Sequence, residues 1–259
     1  MRRSRILQYA LGGLGVAASL GAWQIVATAP GATGSALPPA SAALAAAAGL
    51  LGTAALWQAI GATLLMALGG LVLAVVLGVA LGIGVGVSPL ALHATRVPFE
   101  FLKPIPPIVV LPIAVLVLGP TVDMGVFLVF FGCFVAIAVQ TAAGVFDTDP
   151  VARATARSFG MGRGEILCRI VLPSALPYIG TAVRVCAPTA LIVAVVAGLL
   201  GGGPGLGQSL LLAQIGGDRE ALFANVLILG ALGLIVQGLS QWGERSLLHW
   251  HPQYRKEAH

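Results

Sequence analysis

Charge is what this sequence has least of. Only 9% of its 259 residues are Asp, Glu, Lys or Arg, against roughly a quarter in a soluble domain, and that deficit excludes an ordinary soluble domain. Aromatics are also few, at 6%, and the basic residues form no tract with aromatics between them. The net charge of +5 therefore does not point to nucleic acid, and no such partner is expected. Cysteine is scarce too. Cys133, Cys168 and Cys186 show no CxxC or metal-like spacing, which argues against a disulfide framework and a metal centre.

Catalytic equipment is missing as well. The sequence holds no HExxH, no GxSxG and no paired carboxylate within an apolar stretch, so an enzyme embedded in the membrane has nothing to work with. His93, His249, His251 and His259 all fall in polar segments; His249 and His251 near the C-terminus have metal binding as one reading, and a solvated tail is the expected one. The run Gly201–Gly207 resembles a phosphate loop only superficially, since no strand precedes it and no Lys-Ser/Thr follows. Without a Walker A motif the chain binds no ATP by that route. No cofactor of its own is expected.

What is abundant is hydrophobic sequence, 58% of the chain, with 35 glycines among it. Several apolar runs reach the ~18–20 residues that cross a bilayer as a helix, and six spans are expected at about 8–29, 58–87, 105–119, 124–146, 176–200 and 222–243. The expected fold is all-α, a polytopic membrane protein of about six helices in a single domain over residues 1–259. The third run is short and proline-rich. Gly78, Gly82, Gly84 and Gly86 suit close helix packing. Met1 to Ala29 mimics a secretory signal, but Pro30 at the first mature position disfavours cleavage, so an uncleaved first helix is expected.

The polar segments fix an orientation. With the N-terminus inside, Arg2, Arg3, Arg5, Arg96, Lys103, Arg153, Arg157, Arg163, Arg169, Arg245, Arg255 and Lys256 are cytoplasmic, Arg184 lies at the inner end of span five, and only Arg219 is outside. Both termini are then cytoplasmic. Arg184 is expected to snorkel, and Asp123 to cap a helix at an external turn. Residues 30–57 form an external segment with a short helix from Ser41.

The longest polar segment, Asp147 to Pro173, reads as two short helices. Asp149-Pro150 is a helix start, with a capping carboxylate and a proline at the first position. Ala152, Ala156 and Phe159 share one face, and Arg153 and Arg157 another. Gly160, Gly162 and Gly164 break the helix, Glu165 opens a second, and Pro173 stops that one at the membrane. A face of small residues beside a basic face suits docking into a groove on a partner.

This stretch resembles the EAA loop of ABC importer permeases: Glu-Ala-Ala, three residues, Gly, nine residues, then Ile-x-Leu-Pro. The chain has Ala154-Thr155-Ala156, Gly160 and Ile170-Val171-Leu172-Pro173 in that register. It is most similar to the nitrate/sulfonate/taurine-type permeases. Leu37–Ser41, Lys103–Pro107, Pro204–Gly207 and Leu248–Pro252 add to the likeness. The resemblance implies a dimer, with a second permease copy, two cytoplasmic ATPase subunits that carry ATP and Mg, and an extracytoplasmic binding protein, in a bacterial inner membrane. The coupling residues it implies are Ala154, Ala156, Arg157, Phe159, Gly160, Gly162, Ile170, Leu172 and Pro173.

The departures are informative. The family's Glu is Ala154 here, an Arg early in span two is replaced within Leu64–Ala67, and a Glu late in span five is replaced within Val195–Gly198. The loss of the two charges in spans two and five favours a neutral, aromatic or heterocyclic solute over a small inorganic anion. The polar groups expected along a route through the membrane are Gln140, Thr189, Gln208, Gln214, Asn225 and Gln237, with Pro188 as a kink in span five. Interhelical hydrogen bonding is their other reading. An ion-gradient-driven secondary transporter is the alternative function, and it lacks an intramembrane acid or histidine in the predicted spans.

Overall fold

The computed structural model describes residues 2–29 and 37–249, with side chains from Leu11 onward. Pro30-Gly31, Pro252, Arg255, Lys256, His251 and His259 lie outside the described residues, as do the side chains of Arg2, Arg3 and Arg5. Every regular element among the described residues is helical. They are α1 (Arg2–Thr28), α2 (Ala40–Leu51), α3 (Ala54–Gly86), α4 (Pro89–Leu102), α5 (Pro107–Leu118), α6 (Val122–Phe146), α7 (Pro150–Ser158), α8 (Arg163–Ile166), α9 (Leu172–Gly201), α10 (Leu206–Ile215) and α11 (Arg219–Leu247). A π turn, Leu167–Val171, joins α8 to α9.

Five of these stretches are long and apolar enough to cross a membrane: α1, α3, α6, the run Arg163–Gly201 and α11. The third predicted span differs from expectation. Its helix α5 has 12 residues, about 18 Å at 1.5 Å per residue, short of a ~30 Å hydrocarbon core. A sixth crossing requires α4 and α5 together, and they are bent by 87°. The cause is local: Lys103-Pro104-Ile105-Pro106-Pro107 removes three backbone donors in five residues.

The chain divides into two compact units. The first takes the residues up to Gln58 together with Ser209–Ala231. In it, Trp23 Nε1 donates to Pro38 O at 3.0 Å, the Ser41 N–H donates to Gln24 Oε1 at 3.0 Å, and the Trp23 and Phe223 rings lie 5.6 Å apart. These bonds tie α1 to the start of α2, the short helix expected from Ser41. α10 ends at Ile215, Gly217 turns the chain with φ +68°, and Asp218 Oδ1 then accepts from the Ala221 N–H at 2.9 Å to cap α11.

The second unit, Ala59–Gln208 and the residues from Leu232, holds the main core. Met66, Val129, Cys133, Ile137, Cys186 and Ala194 are its buried centre. α3 and α6 pack almost backbone to backbone. A Cβ on Gly82 would lie 2.5 Å from Thr141 Cβ and 2.6 Å from Ala138 O, and one on Gly86 would lie 2.6 Å from Val145 Cβ. Gly78 makes the same approach to Phe134 O at 3.1 Å. The 78/82/86 row thus forms the small-residue seam expected of membrane helices. Gly84 is not part of it, because its α-carbon faces open space.

Cys133 and Cys186 are buried and free; each thiol points at the other residue's carbonyl, at 3.8 and 4.0 Å. Asp123 does not cap α6. Thr121 Oγ1 accepts from the Met124 N–H at 3.4 Å, and Asp123 sits exposed in the first turn, where its charge suits the helix dipole.

Candidate functional site: the loop between α6 and α9

The polar loop begins where α6 ends at Asp147. Asp147 Oδ2 accepts from the Tyr178 hydroxyl at 2.9 Å. As the spacing predicts, Asp149 caps α7 by accepting from the Val151 N–H at 2.8 Å, with Pro150 at the first position. Arg153 folds inward and donates from Nη2 to Val145 O. Arg157 stays exposed. The two arginines therefore do not share a role: one ties the loop to the end of α6, and the other faces outward.

Ala156 is 5% exposed and packs in a cluster with Val145, Ile166, Val171, Ala175 and Ile179, with Ala152 half-buried beside it. Phe159 departs from the predicted face. α7 ends at Ser158, so Phe159 is its C-cap and no longer follows helical spacing; its ring is 83% exposed. Gly160 follows with φ +79°. Its N–H donates to Arg157 O at 2.9 Å, and the Met161 N–H donates to Ala156 O at 3.1 Å, which is the paired bonding of a Schellman stop. Met161 then packs against the Ala156 cluster. The stop anchors one side of the loop and leaves Phe159 projecting at its turn.

Only Gly160 needs glycine's left-handed backbone. Gly162 has φ −70° and precedes α8, and Gly164 lies inside α8. The second helix begins at Arg163, and Glu165 on it pairs with Arg169 at 3.0 Å. Pro173 does not stop this helix. The π turn widens the bonding, with the Leu172 N–H reaching Leu167 O, and the chain runs on as α9 through Pro173, Pro177 and Pro188 to Gly201. Ile170 and Leu172 are half-buried against the Ala156 cluster, while Pro173 is exposed. Ala154, Arg157, Phe159, Gly160 and Gly162 are all exposed.

In the second unit, Gln140 and Thr189 are exposed, Pro188 and Gln208 are half-buried, and Thr189 Oγ1 donates to Val185 O of its own helix. In the first unit, Gln214 is exposed and Asn225 is buried, donating to Ala221 O of its own helix. None of these residues lines either of two cavities of ≈ 370 Å³ in the second unit.

One of those cavities reveals a group that sequence reasoning missed. Glu244, only 4% exposed by side chain, stands with Oε2 3.0 Å from Arg184 Nε, and its Oε1 accepts from Thr181 Oγ1 at 3.1 Å. Arg184 therefore does not simply snorkel to water; it is paired across α9 and α11. The predicted last span ended at residue 243, one short of this acid, whereas α11 runs to Leu247. Thr63 was also missed. It is fully buried, and its Oγ1 accepts from the Leu206 N–H at 2.9 Å, closing the glycine-rich turn onto α3. That turn holds Gly205 at φ +131°, where a Cβ would lie 2.6 Å from Thr63 Oγ1.

Comparison with known proteins gives this architecture its relatives. Residues 70–249 match the family model described as the binding-protein-dependent transport system inner membrane component. A probable ABC transporter permease protein of Brucella melitensis is 31% identical over 58% of this chain, which spans about three fifths (61%) of that relative's length. The taurine transport system permease protein of Escherichia coli is 28% identical over 76% of this chain and 72% of its own length. The nitrate import permease protein of Leptolyngbya laminosa is 29% identical, covering 71% and 65%. In fold, the chain is similar to an inward-facing form of the MetNI methionine ABC transporter, with a TM-score of 0.65 at 19% identity over 74% of this chain and 95% of that one. The helical membrane fold, the register of the polar loop and this match together place the chain in the family of binding-protein-dependent transport system inner membrane components.

Proposed function

We propose that this chain is the permease subunit of an ATP-driven importer. It pairs with a second permease copy and two cytoplasmic ATPase subunits, and takes a small solute from an extracytoplasmic binding protein. ATP and Mg act on the ATPase, and no bond in the solute is broken. In this reading both termini and the α6–α9 loop are cytoplasmic in a bacterial inner membrane, and the loop transmits the nucleotide state to the membrane helices.

The observation that supports it is the presentation of Phe159. An aromatic ring 83% exposed, held by a Schellman stop beside an exposed Arg157, suits the anchor residue of an interface, where aromatics and Arg dominate binding. Ala154, Gly160 and Gly162 provide the low profile around it. Ala156, Ile170 and Leu172 anchor the loop to α9, and Pro173 marks where it joins that helix. With Ala154 in place of the family Glu, the docking contact rests on shape and on Arg157 in place of a carboxylate.

Pro188, which removes a backbone bond inside α9, is proposed as the hinge of the inward–outward change. Gln140, Thr189, Gln208, Gln214 and Asn225 are retained as proposed polar contacts of the route. The lost pathway charges favour a neutral, aromatic or heterocyclic solute.

The test is purification of the chain from its native membrane in mild detergent, followed by assay for a co-purifying ATPase with vanadate-sensitive hydrolysis. Recovery of that ATPase, and its loss when Gly160 is replaced by a bulky residue, supports the proposal. A chain that purifies alone and transports on an ion gradient overturns it.

A further inference from the structure

The second cavity of ≈ 370 Å³ lies between α4 and the end of α6, within the second unit. Its two walls differ in kind. On α4, the residues His93, Arg96 and Glu100, followed by the C-cap Lys103, recur at helical spacing and form one polar stripe along the cavity. On α6, the opposing wall is apolar: Val139, Ala142, Ala143 and Phe146, ending at the Asp147 carboxylate. Val85 of α3 and Leu92 and Phe99 of α4 add to the apolar lining. The volume is in the ordinary range of small-molecule sites, ~300–1,000 Å³.

The other side of α4 identifies the surroundings. Leu90, Val97 and Phe101 are 81%, 74% and 70% exposed, and no residue of α4 is buried. A helix with one exposed apolar stripe and one charged stripe belongs at the boundary of a bilayer. An occupant of the cavity thus comes from the headgroup region. It must offer a charged end to the α4 stripe and hydrocarbon to Val139 and Phe146.

The charges narrow it further. Lys103 Nζ is already paired with Glu100 at 3.2 Å. Arg96 has no ion-pair or hydrogen-bond partner among the described residues, which leaves one guanidinium open to a phosphodiester. Asp147 accepts from the Tyr178 hydroxyl through Oδ2, and its carboxylate retains acceptor capacity for a primary ammonium. We propose that this cavity is a phospholipid site that selects a zwitterionic headgroup with a primary amine, as in phosphatidylethanolamine. The phosphodiester sits at Arg96, the ammonium turns toward Asp147, and an acyl chain runs along Val139, Ala142 and Phe146.

The experiment purifies the full-length chain in detergent and offers it phosphatidylethanolamine, phosphatidylcholine and phosphatidylglycerol of matched acyl chains. Retained lipid is read by native mass spectrometry, and its position by a phosphatidylethanolamine probe with a diazirine on the acyl chain. We expect preferential retention of phosphatidylethanolamine, with crosslinks on residues 92–103 and 139–147. Arg96→Gln should lower retention about fivefold, the weight of one basic residue of ~1 kcal/mol at an anionic surface. Arg96→Lys should keep most of it, and Arg245→Gln, an exposed basic position outside the cavity, should leave it unchanged. Arg96 is exposed, so these variants fold. Equal retention of all three lipids, equal loss in Arg245→Gln, displacement of the probe by inorganic phosphate, or crosslinks elsewhere would each overturn the assignment.

Discussion

Arg184 on α9 and Glu244 on α11 form an ion pair, Nε to Oε2 at 3.0 Å, with the carboxylate almost wholly buried and the guanidinium side chain 38% exposed. The asymmetry decides which partner matters more. Removing Arg184 leaves a buried charge uncompensated, whereas removing Glu244 leaves a cation that still reaches solvent. Loss of one member of a buried pair costs up to about 3–5 kcal/mol. We expect Arg184→Leu to approach the lower end and Glu244→Leu to cost less, with Arg184→Leu/Glu244→Leu nearer the parent than Arg184→Leu alone. Thermal unfolding of the purified chain in detergent checks the order, and a double variant worse than either single one refutes it.

The α3–α6 seam makes a second prediction. At Gly82 the space for a side chain is already filled by Thr141 and Ala138 O, while Gly84, two residues on, faces nothing within 4 Å. Gly82→Leu is therefore expected to lower stability by at least about 1–3 kcal/mol, the usual cost of overpacking. Gly84→Leu should be close to neutral. Equal melting temperatures for the two variants would mean that the helices part easily.

Much of this was legible in the sequence, and the reasons differ by element. The apolar runs identified α1, α3, α6, α9 and α11 because length and hydropathy are nearly sufficient for a membrane helix. Asp149-Pro150 gave the start of α7 because capping is a local interaction. Phe159 and Pro173 misled for one shared reason. Each was placed by periodicity or by proline rules, while the true helix ends depend on Gly160 turning left-handed and on a π turn absorbing the proline. Glu244 was hidden by a boundary one residue short. Thr63 carries no sequence signal at all, since its partner Leu206 lies far along the chain and only the folded glycine turn brings them together.

Thr63 gives the third prediction. Its Oγ1 accepts from the Leu206 N–H at 2.9 Å and donates to Ala59 O at 2.9 Å, in full burial. Thr63→Val conserves shape and strands that buried N–H, at a cost of about 1–3 kcal/mol. Thr63→Ser should retain the bond and recover most of the loss. The melting temperatures of the two variants test this, and a Thr63→Val variant as stable as the parent, with Thr63→Ser below both, would show that the methyl group, not the hydroxyl, holds the turn.

The coupling proposal predicts a separation between folding and partnership at Phe159. The ring is 83% exposed and belongs to no buried cluster among the described residues, so Phe159→Ala should leave the melting temperature of the isolated subunit almost unchanged, within the ~0.5 kcal/mol typical of surface sites. If the ring anchors an ATPase, the same change should weaken that association by about 2 kcal/mol or more, the range of an aromatic hot spot. Gly160→Ala differs in kind. Its φ of +79° makes any side chain cost about 1–2 kcal/mol, so it should disturb both loop stability and association. Co-purification titrated against ATPase concentration, run beside thermal unfolding, separates the two. A Phe159→Ala subunit that captures ATPase as well as the parent would remove the ring from the interface and leave Arg157 as the residue to examine next.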